Sequence, residues 1–281
     1  MKRLIALLLL ALFLLSACAS PAAQETKKLQ KELQACASLT PAYEEATHLI
    51  PTPKLGYHAW GQGGWTDGAF YYQAFVWRHD ESNQQENKVT VVKYDLAEKK
   101  VVAQSETLPL NHCNDLTYDA KNRRLIAVHN KPNWRTLTFL DPDTLAVLGT
   151  QTIEEQIFGM DYDEKNDRYC IGISSAAPTF RELDGDFHSA GKIFSTLTES
   201  DSFVRQTVAC TADYIFHLYH LPSYIYVYDW AGNFVTKIDF FAKGYEPENL
   251  SVVGDTIFVS VNDPNKAGCH IYQLRDFLPA E

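Results

Sequence analysis

Four segments of the chain repeat one pattern, in which a strand-like run leads to an Asp-containing turn and a second strand-like run. The segments are residues 89–103, 136–150, 180–194 and 224–238, and the turns begin after Asp95, Asp141, Asp184 and Asp229. Successive copies lie about 45 residues apart, and residues 270–277 begin a fifth copy at the same offset. A fixed period of this length indicates that one structural unit is stacked several times.

Another pair of strand-like runs precedes each copy, and each pair is joined by a polar or Gly-containing turn. The apolar residues alternate with the two-residue period of a strand, and no window keeps helical spacing for long. A period of 40–45 residues with four strands is typical of propeller blades. We therefore predict an all-β fold, a β-propeller of five blades with four antiparallel strands each.

Three details of this prediction stay open at the level of sequence. A β-sandwich or β-barrel is the alternative architecture, although the even period argues against it. A sixth, diverged blade could be built from residues 39–66. In a five-bladed ring, we expect part of residues 51–65 to complete or cap the last blade, because a propeller has to close on itself.

The N-terminus carries the features of an export signal. Lys2 and Arg3 precede an apolar run over residues 4–15, which is shorter than the roughly 20 residues of a membrane-spanning helix. The sequence LSAC at residues 15–18 resembles the lipobox of bacterial lipoproteins. This resemblance implies cleavage before Cys18, diacylglycerol on its sulfur and a fatty acyl chain such as palmitate on its amine.

The same resemblance predicts the domain organisation and the location. Residues 1–17 would be the signal peptide, 18–38 a lipidated polar tether, and 39–281 the propeller domain. The protein would be lipid-anchored to the cell membrane on its extracytoplasmic face, or to the outer membrane in a diderm organism. Plain secretion with a chance cysteine at position 18 is the alternative.

Composition limits the partners. Loss of Lys2 and Arg3 with the leader would change the formal net charge from −10 to about −12, and this acidic balance argues against nucleic acid. We expect a monomer. Removal of the leader leaves five cysteines besides Cys18, an odd number without a CxxC motif, so no disulfide framework follows. Cys113 and Cys210 fall at equivalent places in the repeat and are the first candidates for a pair.

The chain loosely resembles extracellular bacterial propellers of the NHL-like, gluconolactonase-like and glutaminyl cyclase-like groups. The resemblance covers nearly all of residues 39–281, and the stretch GQGGWTDGAFYY at residues 61–72 carries the glutaminyl cyclase-like part. It implies a fold more than an activity, because one propeller architecture hosts many functions.

Alignment of the five units predicts which residues converge at one mouth of the central channel. The set comprises Trp60, Gln62, Trp65, His112, Asn114, Phe158, Cys210, Glu246 and Glu248. One interpretation is a binding site for a small polar ligand, a glycan or a protein partner, with Trp60 and Trp65 as stacking surfaces. Another is purely structural, because buried polar groups also bond to backbone ends and ordered water.

A third interpretation is a divalent cation site. Asn114, Asp115 and Glu248, with His112 beside them, offer the hard oxygen ligands that Ca²⁺ or Mg²⁺ prefers, and gluconolactonase-like propellers use such a set. An enzyme of the lactonase, hydrolase or glutaminyl cyclotransferase type would need a carboxyl general acid or base. Glu246 and Glu248 are the candidates for that role.

The other chemically suspicious residues have simpler explanations. GxSxG, HExxH and Gly-rich phosphate loops are absent from the sequence. Strand alternation would place His112 and Asn114 on the channel face and Cys113 and Asp115 on the opposite face, so His112 and Cys113 are poorly arranged as a base and a nucleophile. We expect His217 and His220 to be surface or hydrogen-bonded histidines.

Overall fold

The computed structural model describes residues 42–53, 59–77, 88–173, 179–195, 204–221, 223–239, 246–263, 265 and 267–275. Side chains are described in these ranges except at residues 42–47 and 192–195. Cys18, Cys36, the predicted leader and most of the predicted tether lie outside the described residues. The described chain contains no helix that is both long and apolar enough to cross a bilayer.

Twenty strands make up the described chain. They are β1 (Ala42–Pro51), β2 (Ala59–Thr66), β3 (Phe70–Trp77), β4 (Lys88–Asp95), β5 (Lys100–Gln104), β6 (Asp115–Asp119), β7 (Arg124–Val128), β8 (Thr136–Leu140), β9 (Val147–Thr152), β10 (Ile157–Asp163), β11 (Arg168–Ile173), β12 (Thr179–Asp184), β13 (Ser189–Ser195), β14 (Val204–Cys210), β15 (Tyr214–His220), β16 (Tyr224–Asp229), β17 (Phe234–Asp239), β18 (Pro247–Val253), β19 (Thr256–Asn262) and β20 (Gly268–Arg275).

The strands form five antiparallel sheets of four, which confirms the predicted five-bladed β-propeller. Blades 1 to 4 are β2–β5, β6–β9, β10–β13 and β14–β17, and blade 5 has the order β18-β19-β20-β1. The first strand of each blade is innermost, and β2, β6, β10, β14 and β18 contact one another in turn around the ring.

Ring closure comes from strand β1. It pairs antiparallel with β20, from Ala42 opposite Arg275 to Pro51 opposite Gly268. We expected the closing strand within residues 51–65, but it ends at Pro51. Residues 59–66 form the inner strand of blade 1 instead. A sixth blade is excluded for the same reason. Main-chain pairing with β1 covers the edge that β20 would otherwise expose.

Both faces of each blade are buried against its neighbours. In β3, Tyr72, Ala74 and Val76 pack towards blade 2, whereas Tyr71 and Phe75 pack towards blade 5. Three further apolar clusters join blades 2 and 3, 3 and 4, and 4 and 5. A single sheet with two apolar faces cannot be stable alone, and radial stacking buries both. The outer strands β5 and β9 are largely exposed.

The four aspartates of the repeat lie in turns on one face of the ring. Each carboxylate accepts hydrogen bonds from backbone N–H groups of its own turn, as Asp141 does from Asp143 at 3.0 Å and Thr144 at 2.7 Å. Asp95, Asp184 and Asp229 accept equivalent bonds. Such local bonds favour a tight turn, so these aspartates have a structural role.

Connection lengths distinguish the two faces of the propeller. The face with the Asp turns has connections of only two to six residues, such as 254–255 between β18 and β19. The opposite face carries connections of up to ten residues, including 78–87 and 105–114. Propellers commonly bind ligands on the face with the longer loops, because loops tolerate the variation that a site needs.

Candidate functional site

A cavity of about 340 Å³ opens on the long-loop face, between blade 5 and blade 1. Its described lining residues are Trp60, Gln62, Val76, His112, Glu246, Glu248 and Asn262. Strand β2 provides Trp60 and Gln62 near its start, β18 provides Glu248, and Glu246 directly precedes β18. Trp60, Gln62, His112, Glu246 and Glu248 from the predicted mouth set are thus brought together.

Glu248 is the most deeply buried polar group of this cavity, with 4 % of its surface exposed. Asn262 donates from Nδ2 to Oε1 at 2.5 Å, and Gln62 donates from Nε2 to Oε2 at 3.3 Å. The amide of Asn262 is oriented by the backbone N–H of Gly61, which donates to Oδ1 at 2.8 Å. Burial, followed by the nearby charge of Glu246, raises the pKa of Glu248 well above its usual range.

Glu246 lies at the exposed rim of the cavity. Its carboxylate accepts a hydrogen bond from Gln206 Nε2 at 2.9 Å, and its backbone carbonyl accepts one from the Asn262 N–H at 3.1 Å. Glu246 directly precedes β18, the inner strand of blade 5, and Glu248 is the second residue of that strand. The cavity therefore has one buried and one solvated carboxyl group.

The glycines of the GQGG stretch bring the blades close enough to form this wall. A Cβ on Gly61 would lie 2.0 Å from Cys269 Sγ, and one on Gly63 would lie 2.5 Å from the backbone of Asp115. The pairing of β2 with β3 shifts register between Gly61 and Gly64, so Gln62 lies in a bulge. Glycine is needed where backbones approach this closely.

Hydrogen bonding shows which residues are equivalent in the five inner strands. Asn130 at the end of β7 donates to Asn114 at 2.9 Å, just as Asn262 at the end of β19 donates to Glu248. The sequences NDLT at 114–117 and ENLS at 248–251 agree with this alignment. The equivalent set, which we call the mouth ring, is Gln62, Asn114, Phe158, Gln206 and Glu248.

The next residues inward form a central ring, which consists of Gly63, Asp115, Gly159, Thr207 and Asn249. Asp115 accepts from Thr207 Oγ1 at 2.5 Å and Asn249 Nδ2 at 2.9 Å, and from the backbone N–H groups of Leu116 at 2.9 Å and Met160 at 3.0 Å. A Cβ on Gly159 would lie 2.9 Å from Asp115 Oδ2, so this glycine leaves room for the carboxyl group.

This central ring corrects the predicted facing of Asp115. Strand β6 begins only at Asp115, and the residues before it form a turn in which Asn111 and Cys113 have φ of 55° and 50°. The two-residue alternation therefore does not extend back to His112, and Asp115 faces the channel. Cys113 does point away from it, into the apolar cluster between blades 1 and 2. Burial raises the pKa of its thiol.

Three residues of the predicted mouth set lie in packed clusters instead. Trp65 packs on Tyr118 with ring centroids 4.9 Å apart. Phe158 and Cys210 belong to the cluster between blades 3 and 4. The alignment of blade 4 was four residues out of register, because β14 begins at Val204 and Gln206 is the residue equivalent to Glu248.

The predicted cation ligands are not assembled around one point. Asn114 accepts from Asn130, Asp115 is engaged in the central ring, and Glu248 bonds to Asn262 and Gln62. Among the residues that the structure describes, no group of three or more His, Cys, Asp and Glu side chains is placed to hold a metal ion. The Ca²⁺ or Mg²⁺ site stays a prediction without a preformed set of ligands.

The cysteines and histidines also differ from expectation. Cys113 and Cys210 lie in different inter-blade clusters and are not paired, and Cys170 and Cys269 are likewise buried thiols. His217 is fully buried and stacks on Phe158 with centroids 5.3 Å apart. Within the described part of the chain, neither of its ring nitrogens has a hydrogen-bond partner.

Asn262 and Gln206 were missed at the sequence level. Asn262 lies at the end of β19, the second strand of blade 5. The predicted site residues all belong to the first strand of a blade or to the connection before it. The parallel endings AVHN at 127–130 and VSVN at 259–262 were the available signal. Gln206 was hidden by the misaligned start of blade 4.

Comparison with known proteins indicates the fold alone. No protein-family model matches the chain, and no curated protein matches it. A glutaminyl cyclase of Myxococcus xanthus has a similar structure, with a TM-score of 0.58, 13 % identity, and coverage of 85 % of this chain and 98 % of that chain.

Two further solved structures are weaker matches. A nidogen/laminin complex gives a TM-score of 0.47 at 9 % identity, with 74 % of this chain and 78 % of that chain covered. The propeller domain of Cps50 (Swd1) from Myceliophteria thermophila gives 0.40 at 11 % identity, with 84 % and 75 % covered. At 13 % identity, the similarity to the glutaminyl cyclase structure supports a propeller fold and carries no activity.

Proposed function

We propose that the protein is a lipoprotein, anchored through Cys18 on the extracytoplasmic side of a membrane, whose propeller binds a small polar ligand in the cavity between blades 5 and 1. The anchor rests on the LSAC motif and the preceding apolar run. The binding function rests on the cavity. The two are independent proposals and need separate tests.

The observation that carries the binding proposal is the combination of Glu248 and Trp60 in one cavity. Binding sites for small molecules are concave, are about 300–1,000 Å³ in volume, and combine apolar or aromatic walls with a few oriented polar groups. The cavity volume of about 340 Å³ lies at the lower end of that range. Glu248 is held by Asn262, and Asn262 by Gly61, so its carboxyl group is oriented before any ligand arrives.

A ligand screen tests this proposal. The full chain, purified in nonionic detergent, would be tested by thermal shift against sugars, amino acids, amines, carboxylic acids and short peptides, and hits would be measured by calorimetry. We expect Trp60→Ala to weaken a genuine ligand about tenfold or more, because an aromatic wall is lost. Trp134→Ala, in the 129–135 connection, is the matched control. Hits that Trp60→Ala leaves unchanged would contradict binding in this cavity.

An enzymatic function is the second candidate, and the burial and raised pKa of Glu248 favour it. A buried carboxylic acid with a raised pKa on a cavity wall is the usual form of a general acid. The structural neighbour from Myxococcus xanthus is named a glutaminyl cyclase. Glutaminyl peptides and lactones incubated with the protein and with Glu248→Gln would test this candidate. Turnover that survives Glu248→Gln would contradict the assigned role.

A further inference from the structure

We infer that the ligand of the mouth cavity is a small organic cation, whose ammonium or guanidinium group lies between the carboxyl groups of Glu246 and Glu248 in a cavity also walled by Trp60. This inference rests on the proposed binding function and specifies the chemical class of the ligand. It follows from a comparison of Glu248 with three other buried carboxyl groups of the same protein.

Two of those groups are neutralised by arginine. Asp119 accepts from Arg124 Nε at 2.8 Å, and Asp163 accepts from Arg168 Nε at 2.8 Å. Both carboxylates are at most 2 % exposed at the side chain. A buried carboxylate is costly unless a positive charge or several hydrogen bonds compensate it, and these two have the positive charge.

A third group, Asp115, is compensated by hydrogen bonds alone. It accepts four of them, from Thr207, Asn249 and two backbone N–H groups, and lies away from the cavity. Glu248 has neither form of compensation in full. Its two hydrogen bonds come from the neutral amides of Asn262 and Gln62, and no Lys or Arg is among the described residues that line the cavity.

The surroundings of Glu248 make a cation the fitting partner. Among the residues that the structure describes, the titratable groups around it are Glu246 and His112 in the cavity and the buried thiol of Cys269 behind it. Glu246 repels the charged form of Glu248, and an anionic ligand would meet the same repulsion. A cation would supply the missing positive charge to both carboxyl groups, and an aromatic ring such as Trp60 also attracts cations.

The test uses four five-carbon probes of matched length: 1,5-diaminopentane, 5-amino-1-pentanol, 1,5-pentanediol and glutarate. Binding to the full chain would be measured by calorimetry. We expect 1,5-diaminopentane to bind about tenfold or more tightly than 1,5-pentanediol, because hydrogen bonds to charged partners are the stronger ones. The aminoalcohol should be intermediate and glutarate the weakest.

Charge-removing variants locate the effect. Glu248→Gln keeps the size of the side chain and should reduce the preference for the amine to near unity. Glu246→Gln changes an exposed rim residue, cannot disturb the core, and should reduce the preference partly. Glu164→Gln, in an exposed turn on the opposite face, removes the same net charge and should leave the preference unchanged.

Proton release gives an independent reading of the same contact. Because burial raises the pKa of Glu248, binding of an amine that favours its charged form should release a proton over the pH range in which the free carboxyl group titrates, which appears as a dependence of the binding heat on the ionisation enthalpy of the buffer. Glu248→Gln should abolish that dependence. A neutral or anionic compound that binds in a Trp60-dependent manner while the amines do not would overturn the cation inference and leave the binding proposal intact. If neither these probes nor the screened compounds bind, both fail.

Discussion

At the scale of single residues, the protein contains polar groups that are compensated to different degrees. Asp119 and Asp163 are paired with arginines, and Asp115 is saturated by four hydrogen bonds. His217 is one exception outside the cavity, because it is buried among Phe158, Phe180 and Tyr219 without a hydrogen bond to its ring nitrogens in the described structure. A buried polar group without a partner lowers stability.

His217→Leu is therefore expected to raise the free energy of unfolding by about 1–2 kcal/mol at pH 7, since burial of an unsatisfied polar group costs about 1–3 kcal/mol. Chemical denaturation monitored by circular dichroism measures this change. His188→Leu, at an exposed histidine, is the matched control and should change stability by less than about 0.5 kcal/mol. Destabilisation by His217→Leu would show that the imidazole has a partner.

The same residue gives a pH dependence with a defined sign. Burial, followed by the charge of Arg205, lowers the pKa of His217 well below 6.5 in the folded state. The unfolded chain then binds a proton that the folded chain does not, so stability falls as pH drops below about 6.5, by up to about 1.4 kcal/mol per pH unit. The difference between wild type and His217→Leu should therefore widen between pH 6.5 and 5.

At the scale of structural elements, the turns between strands are of two recurring kinds. One is the Asp turn predicted from the repeat. The other follows the inner strand of blades 2 and 3, where Asp119 and Asp163 bond to Asn122 and Asn166 and to the following arginines. The guanidinium of Arg168 also lies 3.5 Å from the ring centroid of Trp230 in the next blade. This turn therefore links two blades as well as two strands.

Removal of that arginine should be costly. Arg168→Ala leaves Asp163 buried without its cation and removes the contact with Trp230, so we expect a loss of about 2–4 kcal/mol. Arg123→Ala, an exposed residue of the equivalent turn in blade 2, is the control and should cost less than about 0.5 kcal/mol. Urea denaturation of the wild type and the two variants measures these changes in the free energy of unfolding. Equal effects of the two substitutions would contradict the structural role assigned to the Asp–Arg pair.

At the scale of the whole molecule, the ring is closed by its two ends. Strand β1 completes blade 5 shortly after the predicted tether, and its described pairing begins with Ala42 opposite Arg275, beside β20. The cavity lies next to this closure, between blades 5 and 1. A lipid on Cys18 would thus hold a closed ring by a tether of about two dozen residues.

The proposed membrane attachment depends on one atom, the sulfur of Cys18. Cys18→Ala should move the protein from the membrane to the soluble fraction, because the acyl chains are the proposed anchor. Cys36→Ala, outside the lipobox, is the control and should stay with the membrane. Fractionation of cells that express each variant, followed by immunoblotting, measures the distribution. Retention of Cys18→Ala in the membrane fraction would refute lipid anchoring at this residue.

The repeat of about 45 residues was sufficient to predict the five blades and their four strands. Strand alternation and turn composition are local properties, and a local pattern repeated five times leaves few architectures. The same locality explains the errors at the site. Asp115 was assigned to the wrong face because a turn with positive φ interrupts the alternation, and blade 4 was misaligned because its strand begins four residues earlier than expected.

What the tertiary structure decided is which side chains meet. Asn249 donates a hydrogen bond to Asp115, which is 134 residues away in the sequence. Asn262 accepts one from the backbone N–H of Gly61, which is 201 residues away. Such contacts depend on how the blades are rotated around the ring and on backbone approaches that only Gly61 and Gly63 permit. The sequence by itself determined a propeller with polar residues at the start of several inner strands. Ring closure placed Glu248 in the wall of the cavity, where its hydrogen-bond partners among the described residues are two neutral amides.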